Sequence, residues 1–419
     1  MSSQQTFKII PGTKDLLPPE SALWQQIEQI IREHFGRHSY DEIRTPILEN
    51  THLFVRSIGT ETGVVQKEMY TFDDKGGDSV TMRPEGTASV VRSYIENNLA
   101  RQDPVTKLYY IGPMFRYERP QKGRLRQFHQ AGCELIGTDS PEADIEMIAM
   151  LSDLIQKLGI QNFELQVNSL GCLDDATCRP RYLKTITDFL ASKKESLCSE
   201  CQRKLDTNPL RILDCKNEGC KALVVNAPII LDFLCSGCKP HHDQLVLGLN
   251  ELGITYKINP RIVRGLDYYN RTAFEALSND LGSQNAFAGG GRYNKLIASM
   301  GGPDKPAIGF AIGLERLVLL LKDQMQAPKN LVYLVGLGAS VRTKVRELAR
   351  NLRNANLNCE VDYEEKSIKA QMRRADKLGA TTAIIIGENE LAKGIAIVKN
   401  MKTQEQKEIN LDQIVTYFS

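Results

Sequence analysis

The chain has 419 residues, 42% hydrophobic and 25% charged, the balance of an ordinary soluble protein with room for two or three domains. Its 53 basic residues face 51 acidic ones, a formal net charge of +2; only local clustering could therefore point to a nucleic-acid partner. No apolar run approaches a membrane span and MSSQQTFKIIPGTKD has no signal-peptide core, so the expected location is the cytoplasm, with the ten cysteines reduced, metal-bound or catalytic rather than paired.

Residues 19 to 36 place Leu23, Ile27, Ile30, Ile31 and Phe35 at helical spacing between Pro18-Pro19 and Gly36, which predicts a long amphipathic helix. Tyr40 to Leu48 reads as one short strand. Pro46 inside it removes a ladder donor and assigns it to an edge or a subunit boundary. Glu68 to Asp73 and Ser79 to Met82 read as strands around Asp74-Lys75-Gly76-Gly77-Asp78. Arg83-Pro84-Glu85-Gly86-Thr87 then leads into a helix over 88 to 97. Thr87 is the expected N-cap, which leaves Glu85 free to face a cleft.

The stretch from Thr106 to Gly137 predicts an antiparallel hairpin. Its strands run from Lys107 to Tyr117 and from Gln127 to Gly137, around a basic loop from Arg119 to Arg126. Along the second strand Phe128, Gln130, Gly132 and Glu134 fall on one face. A ring, an amide, a gap and a carboxylate make a poor core and a good floor for a small polar substrate. Taken alone, the same pattern also fits a solvated sheet face with salt bridges.

A helix is expected from Ser140 to Leu158 and a strand from Asn162 to Asn168. Residues 171 to 255 read as a mostly helical insertion. Within it, Cys198-Ser-Glu-Cys201 and Cys235-Ser-Gly-Cys238 are two C-x2-C pairs. Together they could give one tetrahedral zinc four thiolates; reduced, unliganded cysteines are the alternative, and no metal ligand is assigned. Arg264-Gly-Leu-Asp-Tyr-Tyr-Asn270 combines a fixed planar cation with the hydroxyls of Tyr268 and Tyr269. Ala288-Gly-Gly-Gly291-Arg292-Tyr293-Asn294 suits close backbone approach to a ligand and is no P-loop. From Ala307 to Leu321 a glycine-spaced strand enters an apolar helix headed by Arg316, a cation that needs a partner, either a structural carboxylate or a bound phosphate or adenine. Beyond 330 the pattern becomes βα alternation. Lys366, Lys369, Arg373, Arg374 and Lys377 give its second helix a basic side, either solvated or facing RNA.

RPEGT, GPMFRYERPQKGRLRQFHQAGCE, RGLDYYN, AGGGRYN and GFAIGLER, in this order and spacing, resemble the bacterial histidyl-tRNA synthetases, class II aminoacyl-tRNA synthetases, over essentially the whole chain. The resemblance implies an α+β catalytic domain over 1 to 325, an antiparallel sheet flanked by helices with the insertion at 171 to 255 near the acceptor stem. An α/β anticodon-binding domain would span 330 to 419. It implies a homodimer through the first helix and the Pro46 strand. It implies activation of L-histidine with ATP and Mg2+, then transfer to tRNA(His). Arg116 and Arg264 would be the catalytic cations at the substrate carboxylate and α-phosphate, Arg264 standing in for a metal there. Glu134 and Tyr269, with Tyr268 beside them, would read the imidazole. Glu85, Gly86, Thr87 and Gln130 would hold the α-ammonium end. Phe128 and Arg316 would sandwich adenine, with Gln130 also at the nucleotide. Arg119, Lys122, Arg124 and Arg126 would meet the phosphates and the tRNA end. Two rivals are a regulatory paralogue that binds histidine without aminoacylating, which tends to lose RGLDYY-type residues and the C-terminal domain, and a plain RNA-binding protein.

Overall fold

A computed structural model describes residues 7–59, 62–282, 285–322 and 330–418. The chain divides into two compact units, Met1–Gln326 and Ala327–Ser419.

The first unit is built on an eight-stranded sheet. Its strands, in spatial order, are Asp41–Glu42, Thr106–Phe115, Gln127–Ile136, Ala307–Gly313, Ala286–Arg292, Asn270–Leu277, Glu164–Ser169 and Lys257–Ile258. The inner pairings are antiparallel, and only the two-residue edge strands pair in parallel. One sheet face carries Ala131, Cys133, Leu135, Phe274, Ala276, Ile308, Phe310 and Ile312 into the main core. There they meet Leu23, Trp24, Ile27, Ile31 and Phe35 of the Glu20–Arg37 helix and the inward residues of Pro141–Lys157 and Leu314–Leu321. Ala131, Cys133 and Leu135 of Gln127–Ile136 thus fill the core, and period 2 turns Phe128, Gln130, Gly132 and Glu134 to the opposite face.

Tyr40 to Leu48 is not one strand. Asp41–Glu42 joins the edge of the large sheet, and Leu48–Asn50 joins a three-stranded sheet with Tyr70–Asp73 and Ser79–Met82. Pro46 lies in the crossover between them, where no ladder donor is required. Helix Thr87–Glu96 begins one residue earlier than expected, and Gly86 holds the N-cap position. The capping acceptor is Glu85, whose carboxylate accepts from the N–H groups of Thr87 at 2.7 Å and Ala88 at 2.8 Å.

The insertion is helical, with Arg179–Ala191, Ser199–Thr207 and Glu218–Val224 around a core of their own that includes Tyr182, Ile186, Leu205, Ile212 and Ile230. Its last helix, Cys238–Glu251, departs from the expectation. Leu245 and Leu249 enter the main core, and Gly248 packs on Ile145. The two C-x2-C pairs do not converge on one site. Cys198 and Cys201 group with Cys215 and Cys220, and Cys235 and Cys238 group with Cys172 and Cys178.

The second unit has a five-stranded sheet in the order Asn358–Val361, Leu331–Leu337, Thr382–Gly387, Ile395–Asn400, Gln406–Asn410. The first three strands are parallel and the last two antiparallel. Gln406–Asn410 carries no apolar alternation, being exposed at all positions but one, which is why the sequence pattern passed over it. On the Ile368–Lys377 helix, Arg374 pairs with Asp362 at 3.6 Å; just before the helix, Lys366 pairs with Asp362 at 3.4 Å. Lys369, Arg373 and Lys377 are exposed and carry no ion pair among the described residues.

Candidate active site

The polar face of Gln127–Ile136 floors a cavity of about 330 Å³, whose lining includes Glu85, Thr87, Arg116, Arg124, Phe128, Gln130, Arg264, Tyr268, Tyr269 and Arg316. Ten residues singled out from separate stretches therefore share one space. Gly86 and Glu134 are outside its lining. Gly86 lies against Tyr110, whose ring a Cβ there would overlap.

Sheet register explains the floor. Tyr110 pairs with Gly132, and Gly309 pairs with Glu134. A Cβ on Gly132 would stand 2.4 Å from the Tyr110 hydroxyl, and one on Gly309 would overlap the Glu134 carboxylate. The gap at Gly132 is therefore filled by Tyr110. Glu134 lies beneath the cavity, 1% exposed, accepting from Thr87 Oγ1 at 2.7 Å and from the Tyr293 hydroxyl at 2.5 Å. Burial pushes its carboxyl up to about 8, against the pull of those two donors. Burial likewise raises Glu85 above the ordinary carboxylate range, and it raises the Tyr268 and Tyr269 hydroxyls, which remain proton donors. The Tyr268 and Tyr269 rings lie 4.6 Å apart. Gln130 Oε1 is a buried acceptor with no hydrogen-bond partner among the described residues.

The other end is cationic. Arg116 donates to the Pro84 carbonyl at 2.9 Å and its guanidinium lies 5.3 Å from the Phe128 ring centre. Arg124 is ion-paired to Glu118, and Arg316 donates to the carbonyl of Ala286. The partner of Arg316 is thus a backbone oxygen. Burial lowers the pKa of Arg316, and the charges of Arg124 and Arg116 lower it further. Three guanidiniums repel one another there, and an anion would relieve that repulsion. Arg264 is ion-paired to Glu275, with Nε unpartnered among the described residues. Burial works against its charge, but Glu275 and the two tyrosines outweigh burial and raise its pKa.

Of the loop cations, Arg119 and Lys122 are exposed. Arg126 packs its guanidinium 3.9 Å from the Tyr117 ring centre. Arg292 of the glycine-rich stretch is fully buried, bonded to Asp144 and to the carbonyls of Thr138 and Ser140; it ties the sheet to a helix and lies outside the lining of this cavity. Tyr110, Tyr293, Glu118 and Glu275 were given no role from sequence. Tyr293 sits inside AGGGRYN and Glu118 inside GPMFRYERPQKG, but Tyr110 and Glu275 become visible only through register and ion pairing.

The family model described as histidyl-tRNA synthetase matches residues 12–317, and that of the anticodon binding domain matches 331–419. The chain belongs to the histidyl-tRNA synthetase family. It is 48% identical to the histidine–tRNA ligase of Thermodesulfovibrio yellowstonii, over 98% of this chain and 97% of that protein. It is 51% identical to that of Geobacter sulfurreducens, over 96% and 97%. The apo S. aureus histidyl-tRNA synthetase crystal structure superposes with a TM-score of 0.82 at 39% identity, covering 99% of this chain and all of that one. The fold is accordingly that of a class II synthetase catalytic domain followed by an anticodon-binding domain. Full-length identity of this order does not favour the regulatory paralogue.

Proposed function

We propose that the chain is a histidine–tRNA ligase that activates L-histidine with ATP and transfers it to tRNA(His). The observation that carries the reading is the two-ended cavity. Buried hydroxyls and acceptors gather at one end, and mutually repelling arginines gather at the other.

In the first step the histidine carboxylate oxygen bonds to the α-phosphorus and diphosphate leaves with the bridging electron pair. Two anions must meet, so fixed cations at the junction lower the barrier. Arg116 and Arg264 lie near enough that each charge is felt by the other, and both are assigned here. In the second step a terminal ribose hydroxyl of the tRNA attacks the acyl carbon and AMP leaves. Glu85, Thr87 and the unpartnered Gln130 Oε1 hold the α-ammonium. Phe128 and Arg316 flank the adenine. Tyr269 and Tyr268 present donors to the imidazole, and Glu134 accepts its N–H through the floor, exchanging the Thr87 contact for the substrate.

Mg2+ dehydrates reluctantly and is usually held by phosphate oxygens with one or two carboxylates. Glu118 and Glu315 line the arginine end, and no carboxylate metal cage is present among the described residues. They fit an ion carried in on the nucleotide, which would neutralise charge on the outer phosphates.

The basic residues Lys369, Arg373 and Lys377 fit an RNA backbone, and the second unit would take the anticodon. The apolar stripe of the first helix is buried in its own core, whereas Ile47, Leu48 and Phe72 are exposed. The three-stranded sheet is thus the better candidate for the homodimer face. No helix among the described residues is long and apolar enough to cross a membrane; the proposed place of work is the cytoplasm. ATP–diphosphate exchange measured without RNA, with histidine against other amino acids, tests the reading. Exchange that is absent, or indifferent to the amino acid, would overturn it.

A further inference from the structure

We propose that the chain holds two structural zinc ions in separate four-cysteine sites, one at the neck of the insertion and one in its body. The neck site is Cys172, Cys178, Cys235 and Cys238; the body site is Cys198, Cys201, Cys215 and Cys220. Within each group the four sulfurs lie within 4.8 Å of one another. Cys172 and Cys235 are 3.7 Å apart, Cys198 and Cys215 3.9 Å. A tetrahedron with Zn–S bonds of about 2.3 Å has an edge of about 3.8 Å, whereas a disulfide closes to about 2.05 Å. All eight are free thiols. Four sulfurs with no nitrogen or oxygen ligand select zinc over hard cations.

The surrounding backbone suits thiolates. The N–H of Cys172 donates to Cys178 Sγ at 3.4 Å, and that of Cys198 donates to Cys220 Sγ at 3.3 Å. Such second-layer donors hold and tune metal-bound sulfur. The insertion also needs a staple. Its helices Ser199–Thr207 and Glu218–Val224 are short, too short to be stable alone, and a small separate core gains most from a metal when disulfides are denied.

Each site leads to the Arg264–Asn270 stretch. Cys178 is the N-cap of the Arg179–Ala191 helix, and Arg179 donates to the Tyr269 carbonyl at 2.7 Å. Between Cys201 and Cys215, Asn208 donates to Asp267 at 3.1 Å. Arg211 donates to the Gly265 carbonyl at 2.9 Å and to Asp267 at 3.0 Å. The two ions therefore fix the insertion that grips this loop from two sides. Arg179, Asn208 and Arg211 are positioning residues. Metal content stands apart from the histidine reading, and only the kinetic arm below rests on it.

The test is elemental analysis of the full-length chain purified from zinc-replete medium. Two zinc per chain, without iron, is the expected result. Cobalt substitution should give the d–d bands of tetrahedral tetrathiolate cobalt. Cys201→Ser and Cys238→Ser should each retain one zinc, and the double variant none. In the native chain a thiol reagent should find the eight cysteines protected until a strong chelator is added. This needs no variant and holds even if the substitutions fail to fold. Folded chain with no zinc and eight reactive thiols would overturn the proposal. One zinc alone would overturn the two-site form, and iron would overturn the metal. Arg211→Ala should raise the histidine KM several-fold and leave the ATP KM and both zinc ions in place. An unchanged histidine KM would remove the link to the loop.

Discussion

Gly289 and Arg264 share one space: a Cβ at Gly289 would stand 2.5 Å from Arg264 Nη1. Gly289 pairs across the sheet with Glu275, the carboxylate that Arg264 binds. The glycine lets the guanidinium cross one strand and reach the next. Gly289→Ala should fold normally, because the displaced group is the end of a flexible side chain. Adenylate formation should fall by about ten- to a hundredfold, the cost expected of a shift of about 1 Å in a reacting group. Exchange kinetics beside a thermal melt check this; normal exchange would mean that Arg264 is not held at its working position by this contact.

Removing the cation itself should cost more. Arg264→Ala should cut ATP–diphosphate exchange by at least about a hundredfold, as loss of one charge-stabilising donor does. Histidine binding, measured by calorimetry, should fall less. Activity within a few-fold of wild type would reassign the role to Arg116.

Glu134 makes a prediction in two parts. Glu134→Gln keeps the shape but replaces one oxygen, able to accept from Thr87 or Tyr293, with an NH2 group that accepts nothing. The mismatch should cost on the order of 1–3 kcal/mol, read as a raised histidine KM with the ATP KM nearly unchanged. Wild-type histidine KM should also rise below about pH 6.5, where free imidazole gains its proton. The folded carboxyl titrates near 8, above its unfolded value, so the folded chain binds more protons between about pH 4.5 and 8. Its contribution to stability is therefore full below that window and is lost as pH rises through it. The Tm of wild type should fall across the window more than that of Glu134→Gln. Parallel melting profiles, or a defect in ATP binding alone, would remove Glu134 from this role.

The two units should separate functionally. A chain without residues 327–419 should keep most histidine-dependent exchange and lose most tRNA charging, since every lining residue of the cavity lies in the first unit. Equal loss of both activities would show that the second unit supports the catalytic fold.

The sequence by itself determined the hairpin, its basic loop, the polar face of Phe128, Gln130, Gly132 and Glu134, and five distant motifs whose order and spacing resemble one class of enzyme. Period 2 and glycine placement are local properties and need no partner strand to be read. Tertiary structure decided the rest. Only register shows that Tyr110 fills the gap at Gly132 and that Gly309 makes room for Glu134. Capping by Glu85 rather than Thr87 depended on the exact start of a helix, a choice among neighbouring donors that composition does not make. The cysteines show the limit most clearly. Spacing invites Cys198–Cys201 to join Cys235–Cys238, but the chain path brings each pair to a different partner, because sulfurs meet through packed helices and not through their separation in sequence.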